Sequence, residues 1–220
     1  MLLAAIADLA LVALVVALSP FPLVASIVAA SAASPGNGPA FAAGWTVGLG
    51  LLTAIVVAAA GEADFSSVTP DAWVQILVGA ALLAAAWRTW SKRPRGEAPP
   101  KAPGWMSSLD RGPARTFGVG AALGGVNPKH LAVAAAAAAI IQYHGLSGPR
   151  ATVAAVAFLA ACSSTVLAIV LAAAFGGAAT ARALAALKGF MLRHNSSIMV
   201  LLLAAIGAKL VVEGVSILRA

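Results

Sequence analysis

Charged residues are scarce in this chain of 220 amino acids, because only 10% are Asp, Glu, Lys or Arg while 61% are hydrophobic. A soluble globular domain has about 25% charged and about 45–50% apolar residues. No charged residue lies between Asp8 and Glu62, and none lies between Arg150 and Arg182. Each stretch exceeds the ~20 apolar residues that a helix needs to cross a bilayer. The composition therefore excludes a soluble enzyme and a free nucleic-acid-binding protein, and it predicts a membrane protein.

Cysteine is almost absent, since Cys162 is the only one. One thiol forms neither an intrachain disulfide nor a two-thiol redox relay. The sequence also lacks HExxH, CxxC and Walker patterns, and His144 and His194 have no metal-ligand spacing. We therefore predict no metal site, no cofactor and no enzymatic activity.

The apolar residues fall into six segments, at 2–34, 40–60, 72–90, 117–143, 151–175 and 197–218. The first lacks the basic start of a secretory signal and runs beyond the apolar core of about 7–15 residues that such signals have, so we predict a retained membrane segment. We predict an all-α polytopic membrane protein with six transmembrane helices in two inverted three-helix repeats. The first repeat is 1–90 and the second is 117–220. Residues 91–116 form a basic, proline-rich cytoplasmic linker, in which 91–104 is expected to be mobile.

Proline interrupts the first apolar segment of each half, in Ser19-Pro20-Phe21-Pro22 and in Asn127-Pro128-Lys129-His130. A straight helix over 2–34 would extend about 50 Å, against a hydrocarbon core of about 30 Å. Serine and asparagine are favoured N-caps, and proline is favoured at the first helical position. Each tetrapeptide is therefore predicted to start a new half-helix inside the membrane. Breaks at matching positions of two inverted repeats are typical of secondary transporters.

The two predicted half-helix N-termini would meet in one cavity, where free N–H groups and the helix dipole attract an anion. Lys129 and His130 add donors at the same place. The candidate substrate-binding residues are Ser19, Pro20, Pro22, Asn127, Pro128, Lys129 and His130. The alternatives are prolines that only kink a helix, a Lys129 that pairs internally, and a His130 that is a satisfied helical histidine instead of a proton carrier.

Three more charged residues are candidates for coupling or gating: Asp8, Lys209 and Glu213. Lys209 and Glu213 are four residues apart, in the weaker order for a helical ion pair. They either neutralise each other while extending toward the interface or form a gating pair. Asp8 is either a surface residue near the N-terminus or part of the coupling.

Small residues recur at helical spacing in Gly44-xxx-Gly48 and Gly120-xxx-Gly124, and an alanine run covers 134–139. Such motifs permit close helix crossing. We interpret all of them as scaffold.

Basic residues outnumber acidic ones, with 14 Lys+Arg against 7 Asp+Glu. The bases cluster around 88–115 and 182–193, whereas the connection between the second and third segments holds Glu62, Asp64 and Asp71. The positive-inside rule then places both termini outside the cytoplasm of a plasma (inner) membrane protein. We expect the excess charge to meet anionic lipid headgroups and not nucleic acid.

At Asn127-Pro128-Lys129 the chain resembles the LysE superfamily, whose members have an Asn-Pro-Lys element opening the first helix of their second half. The segment Ser19-Pro20-Phe21-Pro22 is similar to the matching element of the first half. The six segments, the turn at 34–39 followed by Ala40-Phe-Ala-Ala-Gly-Trp45, and the basic central loop are most similar to the GAP branch, the glycopeptidolipid- and sulfolipid-addressing proteins. The resemblance implies export, and for this branch the movement of envelope glycolipids to the cell surface. The redox branch needs paired cysteines, which this chain lacks.

The sequence thus predicts an exporter or flippase-like transporter that moves an anionic (glyco)lipid or similar amphiphile toward the cell surface. Lys129 and Asn127 would contact the headgroup, Ser19 would cap the opposing half-helix, and His130 would shuttle a proton. The alternatives are a proton-coupled exporter of an amino acid or ion, a non-transporting assembly factor for lipid export, and a membrane-embedded enzyme acting on a lipid. The expected partners are membrane lipids and the substrate, and small-residue faces allow a homodimer.

Overall fold

The computed structural model describes residues 1–62, 72–91 and 104–219. Apart from a short 3₁₀ helix at Gly104–Asp110, the elements in these ranges are α1 (Leu2–Ala17), α2 (Pro20–Ala30), α3 (Asn37–Glu62), α4 (Ala72–Ser91), α5 (Pro113–Gly125), α6 (Pro128–Tyr143), α7 (Gly148–Phe175) and α8 (Ala178–Arg219). No strand occurs among them. The predicted all-helical class is confirmed for this part of the chain, and much of the predicted linker lies outside the described residues.

Three of these helices are long and apolar enough to cross a membrane, or up to four if α1 and α2 together form one broken span. The three single spans are Asn37–Ala60, Gly148–Phe175 and Ser196–Arg219. Their outward side chains are apolar: Leu51 on α3 is 60% exposed and Val156 on α7 is 59% exposed. An apolar outer surface matches acyl chains better than water, so the protein is a membrane protein, as predicted.

The described residues fall into two compact units. The first takes its residues from 1–66 and 102–189, and the second takes them from 67–101 and 190–220. In the first unit α1, α2, α3, α5, α6 and α7 enclose a core of large apolar side chains: Leu9, Phe41, Trp45, Leu49 and Phe158. The division of the chain into two repeats around 91–116 stays a prediction.

Both predicted helix breaks are present in the first unit. Between α1 and α2 the chain turns by 65° at Leu18 and Ser19. Between α5 and α6 the helix is interrupted at Val126 and Asn127. In each case the new helix has proline at its first position, where the missing N–H costs nothing. The proline-break prediction is therefore confirmed at both sites.

The two GxxxG motifs pack against each other where α3 crosses α5. A Cβ atom on Gly44 or Gly48 would collide with the backbone of Phe117 or Ala121. From the other side, a Cβ on Gly124 would lie 2.6 Å from the carbonyl oxygen of Trp45. Backbone thus touches backbone, which only glycine permits, and the scaffold interpretation of these motifs is confirmed. In the second unit Gly79 and Gly207 form the same kind of contact between α4 and α8.

The last helix differs from its prediction. The sequence predicts an apolar segment at 197–218 with a basic connection before it, but α8 begins at Ala178. Residues 178–188 contain six alanines and no proline or glycine, and alanine has the highest helix propensity. A hydropathy pattern predicts only segments that are buried in lipid. It therefore does not predict the first part of α8, which contains Arg182 and Lys188.

Candidate functional site

The two breaks lie within reach of one lysine side chain. Lys129, in the first turn of α6, donates a hydrogen bond from Nζ to the carbonyl oxygen of Val15 at 3.1 Å. Thr165 of α7 donates from Oγ1 to the carbonyl oxygen of Ala17 at 2.7 Å. The last carbonyls of a helix have no partner within the helix, so these two side chains cap the C-terminal end of α1 at its break. These contacts place the start of α6 beside the C-terminal end of α1. The meeting of the N-termini of α2 and α6 in one cavity stays a prediction.

The start of α6 has no free N–H group in its first turn. Asn127 Oδ1 accepts from the backbone N–H of Lys129 at 3.0 Å, and the Asn127 carbonyl accepts from His130 and Leu131 at 2.9 and 3.1 Å. Pro128 has no N–H. The expectation of free N–H groups at this helix start is therefore wrong, because the N-cap residue uses its side chain and its carbonyl. The positive charge at the break comes from the Lys129 ammonium together with the helix dipole.

The start of α2 is capped less completely than predicted. Ser19 is buried and occupies the N-cap position, but its side chain makes no capping hydrogen bond. An N-cap side chain accepts from the second or third helical N–H, and the third residue here is Pro22, which has none. Pro20 lacks an N–H as well. Among the first three residues of α2, only Phe21 therefore has a backbone N–H. Ser19 therefore occupies the N-cap position, but its side chain does not cap the helix.

His130 is fully buried and only half satisfied. Its Nδ1 lies 2.9 Å from the carbonyl oxygen of Gly124, and Nε2 has no hydrogen-bond partner. A carbonyl only accepts, so Nδ1 carries the hydrogen and Nε2 holds a free lone pair. The ring stands edge-on to Trp45, with centroids 5.1 Å apart and an interplanar angle of 86°. Sequence reasoning missed Trp45, although its place between the glycines of α3 marked it as a close-packed tryptophan.

Asp8 lies at the opposite end of α6 from Lys129. Its carboxylate lies 2.8 Å from Nε2 of His144, at the C-terminal end of α6, and its side chain is 53% exposed. Fourteen residues of helix separate His130 from His144, which is about 21 Å. The structure therefore agrees with the surface alternative for Asp8, and His144 is a partner that the sequence did not indicate.

Lys209 and Glu213 lie on α8, in the second unit. Lys209 is exposed, and the side chain of Glu213 lies outside the described residues. The pair therefore stays a prediction. Across 1–62, 72–91 and 104–219 no group of three His, Cys, Asp or Glu side chains is arranged to hold a metal ion.

These observations define a class: an all-helical membrane protein in which two broken segments meet and α6 opens with Asn-Pro-Lys. The chain belongs to the family of the sulfolipid-1-addressing protein, Sap, whose family model matches residues 9–216. The match includes both breaks and is consistent with the LysE superfamily. No curated protein and no solved structure matches the chain.

Proposed function

We propose that the protein is a plasma-membrane exporter that moves an anionic lipid, or a similar amphiphile, toward the cell surface. The observation that carries this proposal is the Lys129 ammonium at the meeting point of the two breaks. Among the described residues no carboxylate forms an ion pair with it. A cation within a membrane span is costly unless it has a partner, and the Val15 carbonyl neutralises it only in part. The name of the family, which refers to addressing of a sulfolipid, supports a lipid cargo.

Lys129 has the chemistry to hold a sulfate, phosphate or carboxylate headgroup. An ammonium has three N–H donors, and Val15 uses one of them. The other two are available to headgroup oxygens. Asn127 contributes through its amide NH₂, because its Oδ1 is engaged by the helix start. His130 faces Trp45, so we assign it to positioning α6 and leave headgroup contact to Lys129 and Asn127.

The proposed architecture is six spans in two inverted repeats that rock to expose the site alternately. The pairs α1–α2 and α5–α6 would each be one broken span, with the breaks after Leu18 and Gly125 at matching places. The charges of the first unit support an external N-terminus. Asp8 lies with His144 at the end where α1 begins, whereas the bases Arg111 and Arg115 flank the start of α5. An even number of spans returns the C-terminus to the same side.

Membrane lipids are the partners that this proposal requires, together with the transported amphiphile. It assigns the protein no catalytic reaction and no nucleic-acid partner. Small-residue faces leave room for a homodimer. Transport by the purified protein would also separate it from an assembly factor, which would be inactive alone.

The test is lipid transfer in proteoliposomes that contain the full chain alone. We expect fluorescent lipids with a sulfate or phosphate monoester headgroup to cross faster than a zwitterionic lipid. Lys129→Gln should lower the anionic rate at least tenfold, and Lys129→Arg should retain part of it. Arg150→Gln is the matched control, because Arg150 is an exposed base at the start of α7. Unchanged transfer by Lys129→Gln would contradict the proposal.

A small anionic solute is the second candidate, since an ammonium recognises a free carboxylate as well as a headgroup. Efflux of radiolabelled amino acids and inorganic anions from the same proteoliposomes distinguishes the two. Solute efflux that depends on Lys129, without lipid transfer, would replace the lipid cargo with a solute.

A further inference from the structure

Four buried polar atoms in the described part of the chain have no hydrogen-bond partner: Asn37 Oδ1, Trp45 Nε1, His130 Nε2 and Ser163 Oγ. Trp45 and His130 are fully buried, and Ser163 is 1% exposed. Unpaired buried polar groups are costly and rare in native proteins. When several of them face one another, a buried water usually satisfies them.

By helix geometry, Trp45 and Ser163 lie at the same level of the contact between α3 and α7. A Cβ on Gly38 would lie 3.5 Å from Val170, and one on Gly50 would lie 3.2 Å from Leu159, so the helices run antiparallel. From the Gly38–Val170 contact, Trp45 is seven residues further along α3 and Ser163 is seven residues back along α7. Seven residues make about two helical turns, which returns both side chains to the interface at the same level.

His130 completes the group, because its ring lies against that of Trp45. Three of the four unpartnered atoms therefore belong to side chains of α3, α6 and α7 that lie at this level of the fold. The fourth does not belong to the group, since Asn37 lies about 12 Å from Trp45 along α3 and is bound through Nδ2 to the carbonyl of Leu109.

The three atoms complement a hydroxyl group. The indole N–H of Trp45 only donates, Nε2 of His130 only accepts while Nδ1 is bound to Gly124, and the Ser163 hydroxyl does both. A cation would face the indole N–H, and an anion would face the lone pair of Nε2. We propose that Trp45, His130 and Ser163 form a binding site for one neutral hydroxyl-bearing ligand, which is water in the resting protein. The site is independent of the proposed transport, and it holds the start of α6 to α3 and α7.

The direct test is solid-state NMR of the full chain with ¹⁵N-labelled histidine in lipid bilayers. Lys129 plays no part in it. We expect magnetisation transfer from water protons to Nε2 of His130, identified by its loss in His130→Gln. Trp45→Phe should reduce the transfer. Absence of transfer to Nε2 would overturn the proposal, and so would a signal that changes when chloride is replaced by gluconate, because the ligand would then be an anion.

The second test is the unfolding equilibrium, with neighbouring serines as a matched pair. Ser163→Ala should increase the unfolded fraction about threefold to tenfold, because it removes a hydrogen bond to the ligand. Ser164→Ala should leave it unchanged, because Ser164 is exposed and its hydroxyl donates to the carbonyl of Ala161 at 2.8 Å. If the Ser163 hydroxyl binds nothing, its removal is neutral or stabilising, and that result would also overturn the proposal.

Discussion

At the scale of single residues, Lys129 joins two parts of the chain that sequence reasoning treated separately. Asn127-Pro128-Lys129 was identifiable as a helix start because capping rules act over three or four neighbouring residues. Its partner, the Val15 carbonyl, lies 114 residues away, and every residue except proline offers the same two backbone groups. No side-chain pattern therefore marks the partner. For the same reason, the sequence did not indicate the hydrogen bond from Thr165 to the carbonyl oxygen of Ala17.

Thr165→Val tests the cap on the broken end of α1. We expect a loss of about 1 kcal/mol in the free energy of unfolding, because the Ala17 carbonyl loses its side-chain donor. Thr152→Val is the control on the same helix, since Thr152 is exposed and bonds to Gly148 within its own helix. Denaturant titration in detergent measures both. Equal losses in the two variants would mean that Thr165 does not cap α1.

Asp8→Asn tests whether the surface pair with His144 has a role in coupling. Exposed ion pairs contribute about 0–1 kcal/mol, so we expect a small change in unfolding free energy. Transfer of anionic lipid should keep the rate of the unchanged protein, because Asp8 lies at the far end of α6 from Lys129. A large loss of lipid transfer with an unchanged free energy of unfolding would mean that Asp8 does take part in coupling.

At the scale of helices, hydropathy and proline placement predicted most of the described elements. The breaks before Pro20 and Pro128 followed from local chemistry, and the apolar segments at 72–90 and 151–175 match α4 and α7 closely. The sequence did not predict the first 19 residues of α8 as helix, because helix propensity and not burial in lipid favours helix there. The GxxxG motifs indicated close crossing but not which helices cross, since the motif describes only one of the two surfaces.

Gly48→Leu tests the crossing of α3 and α5. The leucine Cβ would collide with the Ala121 backbone, which cannot move aside as a flexible side chain does. We expect a destabilisation of about 3 kcal/mol or more, measured by thermal unfolding in detergent. Gly118→Leu on α5 is the control, because nothing lies within 4 Å of a Cβ at Gly118. A tolerated Gly48→Leu would show that the two helices do not cross at this distance.

At the scale of the whole molecule, the single cysteine reports on the site that the two breaks share. Cys162 is fully buried and lies one turn before Thr165 on α7, whose hydroxyl caps the broken end of α1. The alternation of access could be proposed from the matching breaks. The place of this thiol near the end of α1 could not, since no sequence pattern links a lone cysteine to the end of another helix.

Labelling of Cys162 by a membrane-impermeant maleimide therefore measures opening of the site. Without substrate we expect slow labelling, because the thiol is buried. An anionic lipid that competes with Val15 for Lys129 should separate α6 from α1 and raise the labelling rate several-fold, and Lys129→Gln should abolish this response. Arg150→Cys in a Cys162→Ser background controls for reagent access, because position 150 is exposed at the start of α7. If the labelling rate does not change when the lipid is added, lipid binding does not open the break. That result would contradict the rocking mechanism.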